Sequence, residues 1–192
     1  MRILDLGCGD NKVEGATGLD NVALKGVDIV HDLLSFPYPL PAESYETIYL
    51  RHIIEHFSIE NINLILQECH RILIPGGRVI ICVPHVFSIA AFTDITHKSF
   101  FTFNSGKFWD SNYSKAYYDD INSNWKFQNV ICSVTWFDWK GKILRYIDRI
   151  LSKIAEIRIN YALRSRFKPS LADRIAKKYS FQFVEIKWTL KK

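Results

Sequence analysis

Three groups of residues along the chain have types and spacings that can do chemistry. The first is Asp5-Leu6-Gly7-Cys8-Gly9-Asp10, followed eleven residues after Gly9 by Asp20, and then by Asp32-Leu33. Two glycines in this spacing permit a tight turn with backbone close to a ligand. A carboxylate at Asp20 suits the paired hydroxyls of a ribose, and one at Asp32 suits an exocyclic amine such as that of adenine. The second group, His52-Ile53-Ile54-Glu55-His56, spells H-x-x-E-H, the inverted zinc-protease spacing. The third is His85 with Asp94 and His97. Histidine is the natural general base near neutral pH, and either His85 or His97 can take a proton from an acceptor. A loop-closing hydrogen bond from Asp94 to His97 explains the third group equally well.

These residues need elements to position them. Short apolar runs at Ile3–Leu6, 17–19, 27–30, 45–50 and 79–83 read as buried strands. Between the last two, Ile62, Ile65, Leu66, Cys69 and Leu73 recur at helical spacing, with Ser58 and Asn61 at the start. Pro75-Gly76-Gly77 then imposes a turn. Strands joined by crossovers predict a parallel sheet covered on both faces. Ligands of such sheets bind at the carboxyl ends of the strands, where Gly7–Gly9, Asp20, Asp32, Arg51-His52 and Pro84-His85 fall.

The turn disfavours a dinucleotide. That site wants Gly-x-Gly-x-x-Gly, a full crossover helix and an acid about 20 residues on. Here Lys12 holds the third glycine position, and the gap to Asp20 is too short for a full helix. Asp10 would also sit badly beside a pyrophosphate. A cofactor with ribose and adenine but no phosphate fits, and S-adenosylmethionine is the obvious one.

The string Ile3-Leu4-Asp5-Leu6-Gly7-Cys8-Gly9 resembles the first motif of the class I S-adenosylmethionine-dependent methyltransferases. The strand at 45–49, His52-Ile53-Ile54-Glu55-His56-Phe57 and the run from Arg71 to Arg78 resemble later segments of that family in the same order. The short link from Asp10 to Asp20 is similar to a small microbial branch, of the type 11 kind, whose members often modify glycans or lipids. The resemblance implies a Rossmann-like, mostly parallel α/β sheet with an antiparallel terminal strand near 181–190, preceded by a strand near 127–136. It implies methyl transfer to an oxygen or nitrogen of a small-molecule, glycan or lipid acceptor. Asp5, Gly7, Cys8 and Gly9 would cradle the amino-acid end of the cofactor, Asp20 the ribose, and Asp32 with Leu33 the adenine. Arg51 and His52 would close against the methionyl part, and His52, His85 or His97 would act as base.

Two other readings compete. A zinc hydrolase needs both histidines of H-x-x-E-H on one helix face and a distant third ligand. The run starts where a strand ends, so no metal site is expected there. A non-catalytic module of the same fold, binding a membrane surface or partner protein, is the alternative to an enzyme.

Composition bounds the rest. The 192 residues, 48% hydrophobic and 23% charged, suit one domain with its own core and exclude intrinsic disorder. No run is long and apolar enough for a spanning helix, and an acidic Asp5 so early is unlike a secretory signal. Four scattered cysteines without a CxxC pair suit a reducing cytoplasm. Charge is uneven: residues 1–100 carry 7 basic and 12 acidic side chains, and residues 139–192 carry 15 and 4. The sequence therefore divides into a cofactor-binding core over 1–103 and a basic amphipathic helical insertion over 139–180. Ile143, Ile147, Ile150, Ile154, Ile157 and Tyr161 form an apolar stripe opposite Arg145, Arg149 and Lys153. Burial against the protein itself or a second copy through 139–168 is favoured over an anionic membrane surface. A peripheral membrane location stays compatible, and nucleic acid is disfavoured for want of stacking aromatics or a recognition motif.

Overall fold

The computed structural model describes residues 2–112, 125–135 and 183–192, together with positions 150, 153, 154, 156, 157, 159, 160 and 173. Its centre is a seven-stranded sheet. The strands are β1 (Ile3–Leu6), β2 (Thr17–Asp20), β3 (Ile29–Val30), β4 (Tyr45–Arg51), β5 (Leu73–Pro84), β6 (Lys126–Thr135) and β7 (Phe183–Lys191). They lie in the order β3-β2-β1-β4-β5-β7-β6. Strands β1 to β5 run parallel, and β7 runs antiparallel to both its neighbours. The register places Leu6 beside Leu19 and Leu50, and Leu50 beside Ile81. All four are fully buried, as expected of parallel strands with cover on their faces.

Helix α1 (Ile59–Ile72) makes the crossover from β4 to β5. Ile62, Ile65, Leu66, Cys69 and Ile72 form its buried face, while His70 and Arg71 lie in its last turn, where the helix dipole favours cations. Leu73 already belongs to β5, six residues earlier than the sequence pattern predicts. Tyr45 pairs with Leu73 but Thr47 pairs with Arg78, so Pro75-Gly76-Gly77 bulges out of the strand and turns there without ending it.

The first three connections depart from the expected coverage. Residues 7–16, 21–28 and 31–44 contain no helix. A parallel crossover with a helix takes a dozen or more residues, and the first two links are shorter. These links therefore give this edge of the sheet no helix of their own, and Val30 is 58% exposed.

Beyond β5 the chain packs an aromatic cluster around Trp188 of β7. Phe101 and Trp109 meet its indole edge-on, with centroids 5.5 and 5.9 Å away, and its Nε1 donates to the Phe103 carbonyl at 3.1 Å. Phe101, Phe103 and Trp109 are thus core residues. Phe100 instead stacks on Phe92 at the surface, with centroids 5.0 Å apart. A Cβ on Gly106 would lie 2.8 Å from the Trp188 ring. We therefore expect Gly106→Ala to cost about 1–3 kcal/mol by overpacking. Chemical denaturation would read this directly, and an unchanged midpoint would contradict the packing.

Most of the expected 139–180 insertion lies outside the described residues. Those described within it do not bury the predicted stripe against the protein body. Ile150, Ile154 and Ile157 are exposed, whereas Ile159, off that stripe, is fully buried. No helix among the described residues is long and apolar enough to cross a membrane.

Candidate functional site

The end of β1 is shaped by its glycines. Gly7 and Gly9 both take left-handed backbone, at φ 65 and 54. The Gly7 N–H donates to the Leu19 carbonyl at 2.8 Å, and the Gly9 N–H donates to Asp20 Oδ2, also at 2.8 Å. The other oxygen of Asp20 accepts from the Val22 N–H at 3.1 Å. Asp20 therefore ties the turn to β2 while each oxygen keeps a lone pair. A Cβ on Gly7 would meet Ile53 Cγ1 at 2.5 Å, whereas one on Gly9 would project into open space.

Below the turn lies an ion pair that the sequence order hides. Asp5 is fully buried, and its Oδ2 accepts from the Val13 N–H at 2.8 Å and from Arg51 Nη2 at 2.7 Å. Arg51 Nη2 also donates to the Asn11 carbonyl. Asp5 and Arg51 thus anchor the loop from beneath, and neither Asp5 Oδ1 nor Arg51 Nε has a partner among the described residues. Lys12, in the third glycine position, is taken up by Asp28 at 2.7 Å. The Gly18 N–H and then the Lys12 ammonium hold the Asp28 carboxyl below the usual carboxylate range.

A cleft opens above this loop, lined by Gly7, Asp20, Asp32, Leu33, Ile53 and Phe57, among others. Asp32 uses one oxygen to cap the Leu34 N–H at 2.9 Å. Among the described residues the lining has two carboxylates, the Asn21 amide, apolar side chains and no cation. That donor set fits hydroxyls, an exocyclic amine and a flat apolar ring, and it repels phosphate.

A second cleft, of about 740 Å³, lies on the other side of the segment following β4. His52, Glu55, His56, Asp94 and His97 line it, with Ile95 at its rim. The three nominated histidines differ sharply. His52 has left-handed backbone, φ 52, and its Nε2 donates to Glu185 Oε2 at 2.8 Å. Glu185, with Glu55 behind it, raises the imidazole to about 9, so His52 is a cation at neutral pH. His85 is fully buried, with Nε2 on Asp173 at 2.9 Å and Nδ1 accepting from the Phe87 N–H at 3.1 Å. Neither has an atom left to take an acceptor's proton. His97 donates through Nδ1 to the Ala91 carbonyl at 2.9 Å, which leaves Nε2 as a free acceptor. The expected contact between Asp94 and His97 is a backbone one, His97 N–H to Asp94 carbonyl, while the Asp94 carboxylate binds Thr96. H-x-x-E-H does not form a helical zinc pair. His52 precedes a short 3-10 turn (Ile54–His56) and engages β7 instead.

The fold has counterparts among known proteins. Residues 19–81, from the end of β2 into β5, match the family model described as a methyltransferase domain. A methyltransferase structure from Archaeoglobus fulgidus superposes with TM-score 0.56 at 16% identity, covering 100% of this chain and 86% of that one. One from Methanosarcina mazei gives 0.55 at 11%, covering 100% and 92%, and one from Mesorhizobium loti 0.50 at 12%, covering 100% and 90%. The architecture is the class I methyltransferase fold, and the methyltransferase-domain match lies within it. No curated protein matches the sequence.

Several residues lining these clefts escape a linear reading. Ile53 and Phe57 wall the first cleft, yet in sequence they are ordinary apolar residues of a strand-to-helix link. Glu185 reaches His52 from 133 positions away. Cys8 has no catalytic setting. Burial first, then Asp5 and Asp20, push its thiol up. We expect Cys8 to resist iodoacetamide at pH 8 in the folded protein and to react once unfolded, as peptide mass spectrometry would show. Rapid native labelling would contradict its burial.

Proposed function

We propose that the first cleft binds S-adenosylmethionine and that the second admits the methyl acceptor. The observation that carries this reading is the cleft at the ends of β1 to β3, where Asp20 and Asp32 are the charged groups among the described lining residues. When bound, the cofactor supplies an activated sulfonium methyl group for direct transfer to an oxygen or nitrogen nucleophile. Asp20 accepts from the ribose hydroxyls with the lone pairs its backbone donors leave. Asp32 accepts from the adenine amine, and Leu33, Ile53 and Phe57 sandwich the ring. The glycine turn lets backbone approach the amino-acid end, with Cys8 as part of that turn, and Asp5 and Arg51 hold it in shape. Chain groups contribute mainly by positioning, because the transferred group is already activated and orientation is what remains to be supplied.

On the acceptor side we assign His97 to the acceptor's nucleophilic group. Ile95 lines this cleft and is almost fully exposed, and the exposed Phe92 lies in the helix Ala90–Thr93 whose ends also line it, so the cleft favours an acceptor with an apolar body. A lipid or hydrophobic small molecule satisfies this better than a bare glycan. The test is calorimetric titration with S-adenosylhomocysteine. Saturable binding of one molecule per chain is expected, and no heat with either that compound or S-adenosylmethionine would sink the reading.

A further inference from the structure

The second cleft contains a group of side chains whose hydrogen bonding leaves a conspicuous imbalance. Glu55 is 1% exposed, and neither of its carboxylate oxygens has a hydrogen-bond partner among the described residues. His52 Nδ1 stands 3.5 Å from Glu55 Oε1, a charge contact too long and too poorly aligned for a hydrogen bond. The Glu55 carboxylate and one ring nitrogen each of His56 and His97 lie within 4.8 Å of one another. The two imidazoles meet edge to face, with centroids 4.8 Å apart.

The tautomers of both histidines are set by their other partners. His97 Nδ1 faces the Ala91 carbonyl at 2.9 Å, and a carbonyl only accepts, so Nδ1 carries the proton. His56 Nδ1 faces Thr96 Oγ1 at 2.8 Å. That hydroxyl gives its own proton to Asp94 Oδ1 at 2.7 Å, so it accepts from His56. Each Nε2 is therefore a lone pair. Each imidazole thus keeps one lone pair in a cluster whose ring nitrogens and buried carboxylate lie within 4.8 Å, while His52, already bonded to Glu185, approaches Glu55 Oε1 at 3.5 Å. The 3.5 Å contact with the His52 cation offsets part of the cost of burying this carboxylate but leaves both its oxygens without a hydrogen bond among the described residues.

We propose that Glu55, His56 and His97 bind a divalent transition-metal ion of the zinc class. Two neutral imidazoles and one carboxylate are the ligand set of catalytic zinc and of facial-triad sites, and imidazole disfavours magnesium or calcium. The supporting bonds match what such sites use: each ligating histidine donates its other N–H to a carbonyl or to a carboxylate-backed hydroxyl. Three protein ligands leave a coordination position open to the cleft, able to hold a water or hydroxyl oxygen. Asp94 and Thr96, read in the sequence only as a loop motif, become the outer support of His56. The site departs from the sequence-level expectation of no metal. It also differs from the zinc reading of H-x-x-E-H, because His97 replaces His52. With the ion in place, His97 acts on the acceptor through the metal.

The proposal stands on these side chains alone and does not depend on the cofactor reading. Its test uses untagged full-length protein, stripped with a chelator and titrated with Co²⁺ without any cofactor. One Co²⁺ per chain, with a visible ligand-field spectrum displaced by Zn²⁺, is expected. His97→Ala and Glu55→Gln should abolish stoichiometric binding, and Thr96→Val should weaken it by about tenfold or more. His31→Ala should leave it intact, and circular dichroism would establish that each variant is folded. Failure of the parent protein to bind, or unchanged binding in folded His97→Ala, would overturn the site. Binding of S-adenosylhomocysteine to the stripped protein is read separately, so either idea can fail alone.

Discussion

Asp20→Ala is expected to weaken S-adenosylhomocysteine binding by at least about 100-fold. The carboxylate is assigned two hydroxyl hydrogen bonds, each to a charged group and each contributing about 1.5 kcal/mol or more. Their loss comes to about 3 kcal/mol, or a hundredfold in affinity. A second effect adds to it. Asp20 also receives the Gly9 and Val22 N–H groups, so the glycine turn loses its side-chain tie to β2 and keeps only the backbone bonds to Leu19. Unliganded stability should fall by about 1–2 kcal/mol, the usual cost of leaving a partly buried donor unpaired. Asp20→Asn separates the contributions. The amide keeps one acceptor for the turn but cannot accept from both hydroxyls at once, so its stability should recover more than its affinity. Calorimetry and thermal melts on the three proteins read both quantities. A variant that melts lower but binds as tightly as the parent would make Asp20 a loop anchor only, and would equally favour a non-catalytic module of this fold.

Asp20 was legible because its place follows from local rules. An apolar strand must stop where polar residues begin, and in a parallel sheet those stops gather on one edge. The same logic located Gly7, Gly9 and Asp32. It failed where a contact depends on pairing between distant segments. Nothing near His52 announces Glu185, because the meeting depends on β7 running antiparallel beside β5, with Cys82 opposite Lys187. H-x-x-E-H gives spacing but not backbone conformation. A left-handed residue at His52 breaks the helical phase, so His52 and His56 serve different neighbours. The 139–180 stripe shows a related limit. Spacing specifies which residues share a helix face, yet Ile150, Ile154 and Ile157 are exposed while Ile159 is buried against the protein. Periodicity says that a face exists, not where it points.

Arg51→Met should be the most destabilising single change near the site, at about 3 kcal/mol. That is the cost of breaking a buried ion pair by removing one member, which strands the other charge. The asymmetry of this pair makes the prediction specific. The Asp5 side chain is 1% exposed and the Arg51 side chain 28%. Removing the guanidinium leaves a carboxylate that water cannot reach, with Asp5 Oδ1 already lacking a partner. Removing the carboxylate charge by Asp5→Asn leaves an arginine that can still turn toward solvent, while the asparagine oxygen can keep the Val13 N–H. Asp5→Asn should therefore cost much less than Arg51→Met, and the double variant should lie near Asp5→Asn rather than at the sum. Such non-additivity is the signature of direct coupling. Cofactor affinity should follow the same order, because Arg51 also holds the Asn11 carbonyl and hence the loop that carries Gly9. Denaturant midpoints for the four proteins close the cycle. Simple additivity would mean that Asp5 and Arg51 support the loop independently, and the anchor beneath the glycine turn would then have to be sought in the backbone bonds between the turn and β2.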